Sequence, residues 1–270
     1  MNTPDFNFCQ RWRNGRTRYR PAGEIFDPGR VEIVTLPESD ARAFVVKHHY
    51  SHAYPAARFR VGLVHTPRLG REHLAGVAVF SVPMTQAVIP KYLNVAPIAG
   101  VELGRFVLLD ELAANAETYF LARAFKLLRR SIPSIRGVVS YSDPLPRYTG
   151  DGTLVKPGHV GTIYKAHNGH YHGRSGPRTL IVAPDGRVVS ERSLSKIRNG
   201  ESGSDYATRQ LAAMGAPPRR LFEDGAVYVA RALQTFPRVR HPGNHVFSWR
   251  FKTVHHRAPP LSRQPEGSSS

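Results

Sequence analysis

The stretch "VELGRFVLLDELAANAETYFLARAFKLLRR", residues 101–130, decides the fold. Its first ten residues are an apolar run that ends in acid, the pattern of a strand buried in a sheet. Small residues follow, Ala113, Ala114, Asn115 and Ala116, and then the period changes. Phe120, Leu121, Ala124, Leu127 and Leu128 share one stripe while Lys126, Arg129 and Arg130 fall outside it, as an amphipathic helix requires. "IRGVVSYSDP", residues 135–144, reads as the next strand, so the three segments predict a βαβ unit with parallel strands.

Working outward, "VEIVTL" (31–36) predicts a short strand, and "PESDARAFVVKHHY" (37–50) a helix that starts with Pro37 and acids in its first turn. "RFRVGLVHT" (58–66) and "EHLAGVAVFSVP" (72–83) form a hairpin across "PRLGR". Downstream, "KPGHVGTIYKAHN" (156–168) predicts a short helix, and "GHYHGRS" with "RTLIVAPDGRVVS" predicts strands joined at Asp185-Gly186. Residues 192–222 suggest one or two short basic helices, and "HPGNHVFSWRFK" (241–252) a closing strand. The expected class is α/β or α+β: a mixed β-sheet flanked by helices, with basic terminal extensions.

At 270 residues and 41% hydrophobic, the chain can bury one sizeable core. The expected organisation is a basic flexible arm at 1–29, a catalytic core at 30–190, a basic DNA-contacting continuation of the same domain at 191–254, and a disordered tail at 255–270. Lys+Arg of 38 against Asp+Glu of 20 give a net charge of +18, which suits a polyanion such as nucleic acid. No apolar run reaches the roughly 18 to 20 residues of a spanning helix, and the start has no signal-peptide core, so a soluble cytoplasmic protein is expected, in the host cytoplasm if phage-encoded. Cys9 is the only cysteine, which excludes an intramolecular disulfide and a thiolate zinc cluster.

Three places invite a chemical reading. The loop before the 116–130 helix offers amides and a helix dipole to a phosphate, although every βα loop does so and no phosphate-loop signature is present. Asp143 ends a buried strand, where ligands of α/β sheets gather, and it also suits an Asp-Pro turn. Tyr164 in "GTIY" has the position of a proton donor or of a half-buried packing residue. The histidines of "KHHYSH" (47–52) and "GHYHG" (169–173) match no strong zinc spacing.

Taken in order, "KHHYSH", "ELGRFVLLDELAANAETYFLARAFKLL", "VVSYSDP" and "GHVGTIYKAHNGHYHG" resemble the Mom family of phage DNA-modification proteins, a divergent branch of the GNAT acyl-CoA N-acyltransferase fold. The resemblance covers roughly residues 31 to 190, with a weaker continuation to about 250. It implies a transferase that uses acetyl-CoA to convert adenine in double-stranded DNA to N6-carbamoylmethyladenine, in evasion of host restriction. It places pantetheine along Arg105, Phe106, Val107, Leu108 and Leu109, and pyrophosphate at Ala113, Ala114, Asn115, Ala116 and Glu117. The glycine-rich loop common in GNAT proteins is replaced here by "LAANAE". The resemblance also implies an active site at His49, Tyr50 and Asp143, with iron as the metal those residues would hold, and it sets Tyr164 where many GNAT enzymes protonate the CoA thiolate. A GNAT enzyme acting on another amine or modified base, and a non-catalytic nucleic-acid-binding protein on a GNAT scaffold, are the alternatives. Target sequence, amide-nitrogen source and oligomeric state, a homodimer included, stay open. Because adenine N6 is tied up in the base pair, reaching it for chemistry calls for flipping the base out, and Tyr54, Phe59 and Tyr171 are candidates to stack on it.

Overall fold

A computed structural model describes residues 8–13, 16–21, 25–156 and 158–252; the expected 255–270 tail lies outside the described residues. In the arm, β1 (Phe8–Arg13) and β2 (Arg16–Pro21) pair as an antiparallel hairpin. There follow β3 (Val31–Thr35), α1 (Glu38–His48), β4 (Ala57–His65), β5 (His73–Ser81), α2 (Val88–Leu93), β6 (Gly100–Leu108), α3 (Ala116–Ser131) and β7 (Gly137–Ser142). Two short strands, β8 (Arg147–Tyr148) and β9 (Leu154–Lys156), precede α4 (Thr162–Ala166), β10 (His170–Arg174) and β11 (Arg178–Ile181). Three helices, α5 (Glu191–Arg198), α6 (Ser204–Ala213) and α7 (Gly225–Ala232), lead to β12 (Arg238–His241) and β13 (His245–Arg250).

Seven strands form one sheet in the order β10-β13-β7-β6-β5-β4-β3. Every neighbouring pair is antiparallel except β6 with β7, the two strands of the βαβ unit. The mixed sheet flanked by helices is the α/β fold class the sequence leads one to expect. The sheet is buried on both faces, which explains the unbroken apolar runs. Side chains along β5 alternate between two cores: Ala78 and Phe80 pack beneath α3 with Phe120, Leu121, Ala124 and Leu128, while Val77 and Val79 pack beneath α1 with Phe44 and Val45. Lys126, Arg129 and Arg130 are exposed on the outer face of α3.

The parallel pairing is short. It runs from Gly100 opposite Gly137 to Glu102 opposite Val139 and then stops, although β6 continues to Leu108 and β7 to Ser142. The two strands therefore part in the middle of the sheet. α5, α6 and α7 build a separate core with β11, in which Leu194, Ile197, Leu211 and Tyr228 are buried. β12 pairs with β11 and carries the chain from α7 back toward the sheet, where β13 joins β7. The helix expected across 156–168 is confined to Thr162–Ala166, because Lys156 belongs to β9 and Gly161, at φ 74, starts the helix.

Candidate active site

A cavity of about 650 Å³ opens where β6 and β7 part. Leu103, Gly104, Arg105 and Phe106 from β6 and Tyr141 from β7 form one side, and residues of β11 and the start of α5 form another. His49, Tyr50, Asp143 and Tyr164, expected from four separate segments, all line this cavity.

His49 and Tyr50 reach it because α1 ends at His48 and the chain turns at once. His52, at φ 46, directs its Nδ1 to the Val46 carbonyl at the helix end, and His48 is buried against Phe44, so neither belongs to the cavity wall. Arg105 Nε donates to the Ala53 carbonyl at 2.9 Å, tying this loop to β6. The Ser51 amide donates to His49 Nδ1 at 3.1 Å, which leaves the proton of the neutral ring on Nε2. Burial, with Arg105 nearby, lowers the His49 pKa well below the ordinary value, so the ring is neutral at pH 7. The Tyr50 ring lies 4.2 Å from that of His49, with the Arg147 guanidinium 5.4 Å and the Lys156 ammonium 5.6 Å from its centroid. Burial raises the Tyr50 phenol, which stays protonated at neutral pH.

Asp143 is fully engaged. His241 Nε2 and the Leu145 amide donate to Oδ1 at 2.9 and 3.0 Å, while Arg147 and, at 3.3 Å, Lys156 meet Oδ2. Gly243 donates its amide to His241 Nδ1, so the His241 proton sits on Nε2 and points at the carboxylate. Lys156, 0% exposed, donates its remaining protons to the carbonyls of Asp143 and Leu145 at 3.0 and 2.8 Å. Burial alone would raise the Asp143 carboxyl, but Lys156, Arg147, His241 and the Leu145 amide hold it far below the ordinary range. Burial brings Lys156 down to about 8.

As a ligand set for iron, His49, Tyr50 and Asp143 do not fit. A metal needs a carboxylate lone pair, a phenolate and an accessible imidazole nitrogen. Here the carboxylate oxygens accept four donors, the phenol keeps its proton, His49 Nδ1 accepts from Ser51, and two cations flank the tyrosine.

Two wall residues lay outside the sequence expectations. Burial lifts the Glu102 carboxyl to about 7, against the opposing pull of Arg105, and it sits at the last paired position of the fork. The signal in the sequence was one acid inside an apolar strand. His159 is brought down to about 4 by burial and by Lys156. Burial pushes the Tyr164 phenol up to about 12, and nearby Ser140 donates its hydroxyl to the Leu103 carbonyl.

The cofactor expectations divide. Arg105 and Phe106 line the cavity, whereas Val107 and Leu108 are core residues and Leu109 is half-buried. Of the loop residues, Ala113 borders a second, smaller cavity, Asn115 is exposed, and Ala114 and Ala116 are buried. Glu117, 4% exposed, places a side-chain acid in the first turn of α3, at the dipole end a phosphate would use. Among the proposed base-stacking residues, Phe59 is core, Tyr54 is half-buried beneath Arg42, and Tyr171 is exposed on β10 with its hydroxyl against His245.

A comparison with curated protein sequences finds no match. A similar solved structure is a tandem GNAT protein from the clavulanic acid biosynthesis pathway, without AcCoA, at 10% identity and TM-score 0.33. That alignment covers 68% of this chain and 65% of the other, and a likeness this low carries no argument. No described helix is long and apolar enough to cross a membrane. The family model for the Mom protein family matches residues 30–223, more than half of the chain, and the chain belongs to the Mom protein family.

Proposed function

We propose that this protein is a DNA-modifying transferase that draws on acetyl-CoA to convert adenine in duplex DNA to N6-carbamoylmethyladenine, protecting phage DNA from host restriction. The observation that carries this reading is the fork of β6 and β7 with a cavity at its opening that gathers Glu102, Arg105, Arg147 and Tyr164. From Leu103 onward, the β6 edge facing β7 has no paired strand among the described residues. Its alternating amides and carbonyls suit the amides of an extended pantetheine arm.

Within that cavity the residues divide by protonation. Glu102, titrating near 7, is matched to accept a proton from an amine at neutral pH. Arg105 and Arg147 line the same cavity, and their positive charge suits a developing thiolate or oxyanion. Tyr164, near 12, is a poor acid toward a thiol of ordinary pKa, about 8.5, so it serves as a hydrogen-bonding wall rather than as the proton source. His49 and Tyr50 offer neutral polar groups to the base.

The carbamoylmethyl product bonds N6 to the former acetyl methyl carbon, which requires a two-electron oxidant and an amide nitrogen from a further co-substrate. Attack on the thioester carbonyl needs neither and gives N6-acetyladenine. The Glu102 and Arg105 pairing favours that second outcome as the alternative reading.

DNA binding is supported by the exposed cations Arg123, Lys126, Arg129 and Arg130 on α3 and by the loop before α7. In that loop Arg219 donates to the Glu223 carbonyl at 3.0 and 2.6 Å, and Arg231 pairs with the Glu223 carboxylate, holding Phe222 at φ 57 and 96% exposed. An apolar tip flanked by Arg219 and Arg220 suits insertion beside a base that must leave the stack. The test is the nucleoside mass of DNA from cells making the protein. A carbamoylmethyl-deoxyadenosine supports the leading reading and an acetyl adduct the alternative. Unmodified DNA in cells with folded protein refutes both.

A further inference from the structure

Away from the cavity, the register of β4 and β5 sets His65 directly opposite His73. The segment after β6 brings Glu111 to the same point, with His65 Nδ1 3.3 Å from Glu111 Oε1 and His73 Nε2 in contact with that same oxygen. One donor atom from each residue lies within 4.8 Å of the other two. We propose that His65, His73 and Glu111 bind one divalent transition-metal ion.

The orientation of His73 argues for it. Its Nδ1 lies 3.0 Å from the Arg71 carbonyl oxygen, which only accepts, so Nδ1 carries the proton and Nε2 of the neutral ring presents a lone pair to Glu111. An imidazole bound to a metal is held in this way, its far N–H given to a backbone carbonyl. Two acceptors facing each other need a cation, and the choice is a proton on His73 or a metal ion. His65 favours the metal. A hydrogen-bonded pair with Glu111 uses one ring, whereas a metal gathers both rings and the carboxylate, in keeping with the approach of His65 and His73 to one and the same Glu111 oxygen. Donor atoms on a common tetrahedral ion lie roughly 3.3 Å apart, given metal–ligand distances of about 2.0 to 2.1 Å. The His65–Glu111 spacing is already 3.3 Å, and Glu111 is exposed enough to rotate away from His73. Two imidazoles and one carboxylate select zinc, iron(II) or cobalt(II) over calcium or magnesium, and three protein donors leave a position open to solvent. The three side chains are 16%, 40% and 37% exposed, so an ion can enter. Bound there, it clips the β4–β5 hairpin to the segment that leads into α3.

The test uses the full chain without a histidine tag, stripped with chelator and titrated with cobalt(II) under visible absorption. One equivalent, with d–d bands that zinc(II) abolishes, is expected. Glu111→Gln and His73→Ala should each weaken uptake at least about tenfold, and His49→Ala should leave it unchanged. Glu111→Gln is isosteric and exposed, so it carries the test should His73→Ala misfold. No uptake by the parent protein, uptake unchanged in Glu111→Gln, or loss in His49→Ala each overturns the proposal.

Discussion

Replacing Glu102 by Gln tests the acid–base reading with no change of shape. Burial lifts the Glu102 carboxyl from an ordinary 4.5 to about 7. Below about 4.5 it is protonated both folded and unfolded and does not affect stability. Between 4.5 and 7 the unfolded chain releases a proton that the folded chain keeps, so stability falls as pH rises, and above about 7 the loss is complete. At 1.36 kcal/mol per pK unit the total is roughly 3 kcal/mol. The amide that replaces the carboxyl cannot ionise. The stability of Glu102→Gln relative to the parent should therefore grow by roughly 3 kcal/mol between about pH 4.5 and pH 8, or roughly 6–12 °C in Tm for a chain of this size. Paired thermal melts at the two pH values measure it, with the other titrating groups cancelling in the difference. Parent activity should rise through about pH 7, and the variant should lose modification throughout. A Tm gap that is the same at both pH values refutes the burial of this carboxyl, and a variant that still modifies DNA refutes its role as base.

Asp143→Ala should cost about 3–5 kcal/mol in denaturant melts, because it strands the fully buried Lys156 without its counter-charge. The depressed Asp143 carboxyl contributes stability above its unfolded value of 3.8 that is lost as pH falls below it, a loss Asp143→Asn should not show. Tyr50→Phe keeps the ring beside Arg147 and Lys156, so thermal stability should change by less than about 1 kcal/mol, while reduced nucleoside modification would isolate the hydroxyl. Gly161→Ala, at φ 74 and with its Cβ 2.3 Å from the Phe247 ring, should destabilise by about 1–3 kcal/mol in the same melts. Phe222→Ser should leave stability within about 0.5 kcal/mol yet weaken duplex binding in fluorescence anisotropy, with its salt dependence unchanged, whereas Arg219→Gln should flatten that dependence.

The βαβ unit and the β4–β5 hairpin were legible because burial on a sheet or under a helix imposes a period on the residues. The stripe of α3 and the alternation of β5 are direct prints of those surfaces. The convergence of His49, Tyr50, Asp143 and Tyr164 came through ordered motifs, since nothing periodic connects a helix end, a strand end and a helix of five residues. The partners of Asp143 were invisible for the same reason: Arg147 and Lys156 lie on strands of two and three residues, and His241 is 98 positions away. Proximity without period leaves no trace in one sequence. That hidden company is what changes Asp143 from a metal ligand into the counter-charge of two cations.

Asp143 and the three side chains joined to it also bear on how this sequence can vary. Any single replacement leaves a buried charge or donor behind, so each should look intolerant alone. Replacing the acid together with Lys156 by neutral residues of similar volume removes both charges at once and should cost less than the two changes added. His241, on the strand returning from the helical unit, is tied into the same dependence through its Nε2 proton. These positions should therefore evolve as one epistatic block, binding the history of the β12 strand to that of the sheet.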